Sequence, residues 1–476
     1  MATQELFSGF SDTLDASVQR WHVPGCAAAV VNHDGLIWCD SSGVRDLERR
    51  LPFMSGTLFE VASLTKAFTA ACLGILADRK VLTWDTPIRM YLPGFALMDA
   101  GATETITVRD ILSHRTGLPR HDGVWSGRVD MTGPAIMESL RFLEPSCPPR
   151  TRFQYQNMMY AVAGLVVEAL DGRTWKDFLQ SELLGPLGME RTRLSRKAGL
   201  LTGDYAMPYR LQDNTPVRMS FEHIAEGLAP AGCIISTVED MGKWLAFHLG
   251  DGTANGRRIL SPETLAFLHE PTIVVTGDER CFVGLSELGE DSYCMGWHSQ
   301  SYRGHRMLHH SGANDGLTSM ALLFPDDDLG IVALTNSDDS MQRVAVALMA
   351  ADRALSLDPL PWDDRYLERA RAAQPPAFVP PAPADPGLPL STYEGSYAHP
   401  AYGILSVTVE GNGLHLELHG SAAEAIGHAA NTFIAVNGSM LDKGDLITFD
   451  VDASGSAILV AAPLEHAVSP IRFMRR

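Results

Sequence analysis

A dense run of prolines near the C-terminal end divides this chain into two parts. Residues 375–389 contain seven prolines: Pro375, Pro376, Pro380, Pro381, Pro383, Pro386 and Pro389. Proline lacks an N–H donor and fixes φ, so such a segment forms neither a helix nor a central strand. Proline-rich segments act as semi-rigid spacers. We therefore predict a linker over 361–389, between a first domain of residues 1–360 and a second domain of residues 390–476.

Predicted hairpins bracket a helical middle in the first part. An Asp34-Gly35 turn joins apolar runs at 27–31 and 36–38, which is a strong hairpin signal. A second hairpin is predicted over 320–334, and helices are predicted over 4–21, 63–79, 157–170, 238–249 and 339–355. Because strands lie at both ends with helices between them, we predict an α/β (α+β) fold, in which one antiparallel sheet is flanked by helices and accompanied by a helical subdomain.

The second part has a different texture. Leu405, Val407 and Val409 alternate with polar residues, a turn follows at 410–413, and a second alternating run follows at 414–418. Further short apolar runs lie at 433–436, 446–451, 458–460 and 471–473. Period-two segments separated by turns are typical of small barrels and sandwiches. We predict a small antiparallel β-barrel.

Charge and cysteine content limit the partners and the location. The 476 residues carry a formal net charge of −19, which argues against a nucleic-acid partner and against attachment to an anionic membrane. The chain has no apolar run of about 18 residues, and its start does not resemble a signal peptide. Its seven cysteines include no C-x-x-C pair, which favours free thiols in a reducing compartment. We expect a cytoplasmic protein.

Ser63 and Lys66 stand three residues apart at the start of an apolar stretch. Residues i and i+3 share one face of a helix, with Cβ atoms about 5–6 Å apart. A serine hydroxyl becomes a good nucleophile when a base takes its proton, and a lysine can be that base if burial and a nearby positive charge lower its pKa. By itself the spacing is a weak signal, and a helix cap with a lysine that extends to water is then the favoured interpretation.

Tyr155 and Asn157 lie where a loop enters an apolar helix. A tyrosinate beside a lysine ammonium can act as a base, and an amide can orient a substrate carbonyl or the lysine. A capping asparagine beside a packed tyrosine is the alternative interpretation of this pair.

His309 to Ala313 end a predicted strand. Gly312 would let a substrate backbone approach the sheet edge, and an edge strand can pair with a peptide and give an N–H group to an oxyanion. A structural histidine is the alternative interpretation of His310. His305 and His309 are four residues apart, but no carboxylate or cysteine accompanies them at ligand spacing, so we expect no metal site.

In this order, Ser63-x-x-Lys66, Tyr155-x-Asn157 and His310-x-Gly312 resemble the three motifs of the serine β-lactamase and penicillin-binding-protein superfamily. The class C-like branch, with its D-aminopeptidases, amidases and esterases, is the most similar, because its third motif is often His-x-Gly. The resemblance covers about residues 10–355, and the stretches at 111–119, 186–189 and 231–237 are also similar. The C-terminal part resembles the lipocalin-like barrel that some members carry.

The resemblance implies a role for each matched residue. Ser63 is expected to be the acylated nucleophile, and Lys66 and Tyr155 are expected to share the general acid and base steps. Asn157 is expected to bind the substrate acyl side or the lysine. His310 is expected to supply a weak, pH-dependent positive charge where many relatives carry a lysine. The oxyanion hole and substrate-binding edge are expected to contain Ser63, Ser311, Gly312 and Ala313.

We therefore predict a serine hydrolase that forms an acyl-enzyme on Ser63 and cleaves an amide, peptide or ester bond of a small or short peptide substrate, with D-residues among the candidates. Pocket walls are expected from loops at about 120–150 and 205–230. No cofactor or metal is implied. Two alternatives stay open: a thioesterase or acyltransferase of the penicillin-binding-protein type that cyclises a nonribosomal peptide or transfers the acyl group from a carrier-bound thioester, and a non-catalytic ligand-binding protein. A homo-oligomer is also left open.

Overall fold

An antiparallel sheet forms the centre of the first part of the chain. The computed structural model describes residues 6–221, 224–277, 282, 285–338, 340–372 and 378–476. Within these ranges the sheet has nine strands: β1 (Gly25–Asn32), β2 (Gly35–Asp46), β3 (Leu51–Pro52), β4 (Ile273–Val274), β5 (Ser292–Tyr293), β6 (His298–Tyr302), β7 (His305–Asn314), β8 (Leu317–Phe324) and β9 (Leu329–Thr335). Their order is β4-β5-β6-β7-β8-β9-β1-β2-β3, so β1 joins the N-terminal strands to the later ones. The predicted sheet built from both ends is confirmed.

Helices fill the middle of the chain and cover both faces of the sheet. In chain order they are α1 (Phe10–Trp21), α2 (Thr65–Asp78), α3 (Ile88–Tyr91), α4 (Ala100–Thr105), α5 (Val108–Leu112), α6 (Gly133–Ser139), α7 (Asn157–Asp171), α8 (Trp175–Leu179), α9 (Gly185–Leu187), α10 (Arg196–Leu200), α11 (Ala229–Gly232), α12 (Val238–Leu249), α13 (Pro262–Leu268), α14 (Gln342–Ala354) and α15 (Trp362–Ala372). The main predicted helices are confirmed as α1, α2, α7, α12 and α14. Residues 4, 5 and 339 of those predictions lie outside the described ranges. In the part of the chain that the structure describes, no helix is both long and apolar enough to cross a bilayer.

Strand β1 shows how the sheet separates two cores. Its even-numbered residues from Cys26 to Val30 belong to a cluster that includes residues of α1 and α14. The odd-numbered residues from Ala27 to Val31 belong to the larger cluster that includes α2, α7 and α12. Because side chains alternate across a strand, a nearly continuous apolar run is needed when both faces are covered. The GCAAAVVN sequence of β1 meets that requirement.

The C-terminal part forms the predicted barrel. Among residues 378–476, eight antiparallel strands close on themselves: β10 (Gly395–His399), β11 (Gly403–Glu410), β12 (Gly413–Leu418), β13 (Ser421–Ala429), β14 (Thr432–Gly438), β15 (Leu446–Val451), β16 (Ala457–Ala462) and β17 (Ile471–Arg475). The pair β10–β17 closes the barrel, with Tyr397 opposite Arg475. Two strands, β10 and β13, were not predicted. β13 is mostly alanine and polar residues, which lack the β-branched signal of a strand.

The predicted linker over 361–389 needs a correction at its start. Trp362–Ala372 is a helix, and Trp362 is fully buried. The indole N–H of Trp362 donates to Asp352 at 2.8 Å, which ties α15 to α14. The error arose because the proline signal begins only at 375, whereas the residues before it carry an amphipathic helical pattern. Pro375 and Pro376 lie outside the described residues.

Strand β7 is fixed against the segment that contains Ser63. The hydroxyl of Ser319, opposite Gly312 in the sheet, donates to the carbonyl oxygen of Val61 at 2.9 Å. A Cβ atom placed on Gly312 would collide with that carbonyl and with Oγ of Ser319, and would lie 3.1 Å from the backbone nitrogen of Ser63. Only glycine therefore allows β7 to lie this close to the segment.

This contact predicts the effect of Gly312→Ala. We expect the free energy of unfolding to fall by about 1–3 kcal/mol, because the new methyl group meets backbone that cannot move freely. Urea unfolding followed by circular dichroism measures the change. Gly56→Ala is the control, since the nearest atom to a Cβ there is 3.8 Å away. Equal stability of Gly312→Ala and the control would contradict the proposed packing constraint.

Candidate active site

Ser63 lies in a short 3₁₀ turn, Ala62–Leu64, that leads directly into α2. Ala62 has φ of 48°, a left-handed conformation that is unfavourable for a residue with a side chain. The turn is held on its N-terminal side, where the N–H of Val61 donates to Ile234 at 3.0 Å. Strained backbone of this kind persists only where its surroundings hold it, and here it sets the position of the partly exposed Ser63 hydroxyl.

Lys66 is fully buried and hydrogen-bonded to Ser63. Its Nζ atom is 3.1 Å from Oγ of Ser63 and donates to the carbonyl oxygen of Ala231 at 3.0 Å. Burial lowers the pKa of Lys66 well below its usual value, and the charge of Arg120 lowers it further, while Asp122 acts in the opposite direction. The side chain therefore does not extend to water, and its amine can exist in the neutral form beside the serine.

Aromatic rings surround the lysine. Its Nζ atom lies 4.8 Å from the ring centroid of Tyr155 and 5.4 Å from that of Tyr160. The Tyr160 hydroxyl is committed to structure, because it donates to the carbonyl oxygen of Leu112 at 2.7 Å. Tyr155 also packs on His114, with ring centroids 4.4 Å apart. Of the two tyrosines near the amine, only Tyr155 lines the cleft.

His310 is held in one tautomer by its two partners. Its Nδ1 atom is 2.6 Å from the carbonyl oxygen of Ser311, which only accepts, so Nδ1 carries the hydrogen. Nε2 then accepts from the hydroxyl of Tyr293 at 3.0 Å. Burial lowers the pKa of His310 well below its usual value, with smaller contributions from His298 and Lys66. Burial therefore favours the neutral imidazole, so the pH-dependent positive charge expected for His310 stays a prediction.

The predicted residues come together around one cleft of about 430 Å³. Its lining includes Ser63, Tyr155, Asn157, His310, Ser311 and Ala313. Asn157 is the first residue of α7, after the cap Gln156, so the helix start aims its side chain at the cleft. Lys66 and Gly312 are buried and do not line the cleft.

One edge of β7 faces the cleft without a sheet neighbour. Pairing between β6 and β7 ends at His298 opposite His309, whereas pairing between β7 and β8 continues to Asn314. Residues 310–314 thus have a strand partner on one side only, among the residues that the structure describes. Such an edge can pair with an extended peptide-like chain.

The loops that were predicted to form pocket walls do line the cleft. The sequence did not indicate which of their residues would do so. Arg120, Asp122 and Trp125 come from the first loop, and Ile224 and Leu228 come from the second. Arg120 donates to Asp122 at 2.7 Å, and its guanidinium carbon lies 5.2 Å from the ring centroid of Tyr155. Loops have no periodic sequence pattern. The sequence therefore predicted which loops line the cleft, but not which of their residues do so.

His298 and Tyr293 were also missed. Both reach His310 from neighbouring strands, His298 with ring centroids 5.7 Å apart. These two residues come near His310 only through the pairing register of β5, β6 and β7, and the sequence pattern does not predict that register.

The barrel holds the loop that carries Arg120 and Asp122. The hydroxyl of Tyr402 donates to Nδ1 of His121 at 2.7 Å, and the carboxylate of Glu465 accepts from the backbone N–H of His121 at 2.9 Å. A Cβ atom on Gly127, which has φ of 74°, would collide with the carbonyl oxygen of His419. Barrel residues therefore position one wall of the cleft.

Comparisons with known proteins show the family of this chain. The family model described as Beta-lactamase matches residues 10–356, and a model described as Domain of unknown function (DUF3471) matches residues 379–475. Unguisins hydrolase ungD' of Aspergillus campestris is 32% identical over 432 residues, covering 84% of this chain and 77% of that protein. Penicillin-binding protein 4 of Amycolatopsis lactamdurans is 28% identical over 332 residues, covering 69% of this chain and 84% of that protein.

A solved structure shows the same fold over the whole chain. The octameric penicillin-binding protein homologue from Pyrococcus abyssi has a TM-score of 0.64 and 21% identity, and the match covers 100% of both chains. Both parts of the present molecule, the sheet with its helices and the closed barrel, thus have a counterpart in one structure. Given the family match over 10–356, this chain belongs to the β-lactamase family and is a serine hydrolase of the β-lactamase fold.

Proposed function

We propose that this protein forms an acyl-enzyme on Ser63 and hydrolyses an amide, peptide or ester bond in a small peptide-like substrate. The observation that carries the proposal is the 3.1 Å hydrogen bond between Ser63 and a fully buried Lys66. The name of its 32% identical relative, a hydrolase of unguisins, supports hydrolysis as the reaction.

In the first step, the neutral amine of Lys66 accepts the proton of the Ser63 hydroxyl, and Oγ attacks the substrate carbonyl carbon. Burial and the charge of Arg120 favour that neutral amine. The backbone N–H groups of Ser63 and Ala313 are the proposed donors to the oxyanion. Preorganised donors of this kind typically contribute about 10²–10³ in turnover.

In the second step, the tetrahedral intermediate collapses and the amine or alcohol leaves with a proton from the Lys66–Tyr155 pair. The ring centroid of Tyr155 lies 4.8 Å from Nζ, which places this tyrosine beside the amine. Water then attacks the acyl-enzyme carbonyl while the same pair accepts its proton. The bond to Oγ breaks, the pair returns that proton to Oγ of Ser63, and the acid product leaves. Asn157 lines the cleft where it can orient the acyl group.

The shape of the cleft supports a peptide-like substrate. The edge of residues 310–314 that has no strand partner in the described residues offers backbone groups to an extended chain. The Arg120–Asp122 pair lines the same cleft. Substrates that contain D-residues are among the proposed candidates. A second acceptor in place of water would convert the same acyl-enzyme into a cyclase or transferase, and product analysis separates the outcomes.

We also propose a cytoplasmic location, which the free thiols favour. A homo-oligomer is proposed as well. Among the described residues, Cys26, Cys72 and Cys294 are free and buried, as expected for a reduced protein. Light scattering of the purified full chain tests the oligomer.

Covalent labelling tests the nucleophile. After exposure to a fluorophosphonate probe, or to a panel of peptides, amides, thioesters and esters, we expect an adduct on the Ser63 peptide by mass spectrometry. Ser63→Ala should lose both the adduct and the activity. Ser301→Ala, which removes an exposed hydroxyl on β6, should keep both. An adduct that persists in Ser63→Ala would contradict the assignment, and no adduct in the wild type would favour a non-catalytic binding protein.

The pH dependence tests the base. A neutral amine is needed, so kcat/KM should fall on acidification as Lys66 becomes protonated. Arg120 lowers and Asp122 raises the pKa of Lys66. Arg120→Gln should therefore move the acid limb to higher pH and Asp122→Asn should move it to lower pH, each by about one pH unit or less.

Arg472→Gln is the control for this pair, because Arg472 is an exposed barrel residue that contacts Asp450. Its pH profile should match that of the wild type. Shifts of the two cleft variants in the same direction would contradict the assignment of Lys66 as the titrating base.

Paired tyrosine variants test the contribution of the barrel. Tyr402→Phe removes the donor to His121 in the cleft loop, whereas Tyr397→Phe removes a hydroxyl that bonds Tyr393 within the barrel at 2.8 Å. Each should lower the free energy of unfolding by about 1–3 kcal/mol. Only Tyr402→Phe should change KM and the rate of Ser63 labelling. Equal kinetics of the two variants would show that the barrel contact does not shape the cleft.

A further inference from the structure

Three side chains that the proposed reaction does not use meet on neighbouring strands. Asp291 directly precedes β5, His298 begins β6 and His309 lies in β7. In the sheet, Tyr293 lies opposite His298, and His298 lies opposite His309. Asp291 and His309 are buried, and His298 is 6% exposed. The antiparallel register therefore places a carboxylate and two imidazoles together inside the protein.

The ligand atoms of this cluster have a spacing that suits a cation. Each of the three side chains offers one ligand atom, and these atoms lie within 4.8 Å of one another. Nδ1 of His298 is 3.1 and 3.2 Å from the two carboxylate oxygens of Asp291. Ligands that each lie about 2.0–2.1 Å from one tetrahedral zinc ion are about 3.3 Å apart, which is close to the His298–Asp291 distances.

His309 supplies an independent reason to expect a ligand. It is fully buried, and neither of its ring nitrogens has a hydrogen-bond partner among the described residues. Its ring stacks on that of His298 with centroids 4.8 Å apart and packs against Phe282 at 4.7 Å. A buried polar group without a partner costs about 1–3 kcal/mol, and a bound ion is one of the ways in which proteins avoid that cost.

We propose that Asp291, His298 and His309 form a binding site for a divalent metal ion of the zinc class. Two imidazoles and one carboxylate are a ligand set that zinc accepts, and three protein ligands leave one coordination position open. His298 lines the cleft, so the site lies in the wall of the same cleft as Ser63. The proposal is separate from the acyl-enzyme proposal, because neither Ser63 nor Lys66 takes part in it.

Zinc titration of the full-length protein tests this site. After dialysis against a chelator, calorimetry with Zn²⁺ should show stoichiometric binding to the wild type. Asp291→Asn and His309→Ala should each weaken Zn²⁺ binding by at least roughly 10–100-fold. Loss of a residue that only supports a metal ligand already has an effect of that size. His305→Ala is the matched control, because His305 lies on the same strand but is partly exposed and paired with Asp327. It should bind Zn²⁺ like the wild type.

Two further measurements make the result unambiguous. An exposed cluster of Asp442, Asp445 and His466 is the other arrangement of this kind in the described residues, so Asp442→Asn should leave the measured site intact. Co²⁺ added to the wild type should give visible absorption bands of a four- or five-coordinate site, displaced by Zn²⁺, and this readout needs no variant to fold. No Zn²⁺ or Co²⁺ binding by the wild type, or equal binding by His309→Ala and His305→Ala, would overturn the proposal.

Discussion

The buried amine of Lys66 is the constraint to which the rest of the site responds. Removing an ammonium from water is unfavourable, so the group must be paired or lose its charge. No carboxylate contacts Nζ in the described residues; its partners are the hydroxyl of Ser63 and the carbonyl oxygen of Ala231. The amine is thus held where its neutral form is favoured and a proton donor is 3.1 Å away. Burial of the apolar α2 face supplies the free energy that keeps it there.

The sheet topology brings the three motifs together. Ser63 lies in the turn before α2, and Lys66 lies in the first turn of that helix. Tyr155 precedes α7, Asn157 starts it, and β7 is the strand that closes the cleft. The pair β1–β9 joins the two ends of the domain: Cys26 lies opposite Thr335 and Val31 lies opposite Gly330. Gly312 is where β7 packs tightly against the segment that contains Ser63, because a methyl group there would collide with the backbone of Val61. The positions of the catalytic candidates therefore depend on strand register as much as on the motifs.

The sequence predicted the parts of the molecule that have a local signal. The Asp34-Gly35 hairpin, the helix over 238–249 and the alternation in 405–418 each follow from periodicity or turn chemistry, and the structure has them. The motif residues Ser63 to Ala313 were found through their spacing and their resemblance to a family. Residues without a local signal were missed: Arg120 lies in an aperiodic loop, and His298 becomes relevant only through its register with His309. Asp291 was missed for the same reason, because the sequence alone does not predict that it lies near His298 and His309.

The electrostatics of the cleft link the barrel to the reaction. Many relatives were expected to carry a lysine where this chain has His310, and burial lowers the pKa of that imidazole, which favours its neutral form. The cation that acts on Lys66 instead is Arg120, from the loop next to His121. That loop is held by Tyr402 and Glu465 of the barrel. A displacement of the barrel would therefore move Arg120 and change the pKa of Lys66, although no barrel residue lines the cleft among those described. We therefore expect the second part of the chain to influence the proton affinity of Lys66 as well as the shape of the cleft.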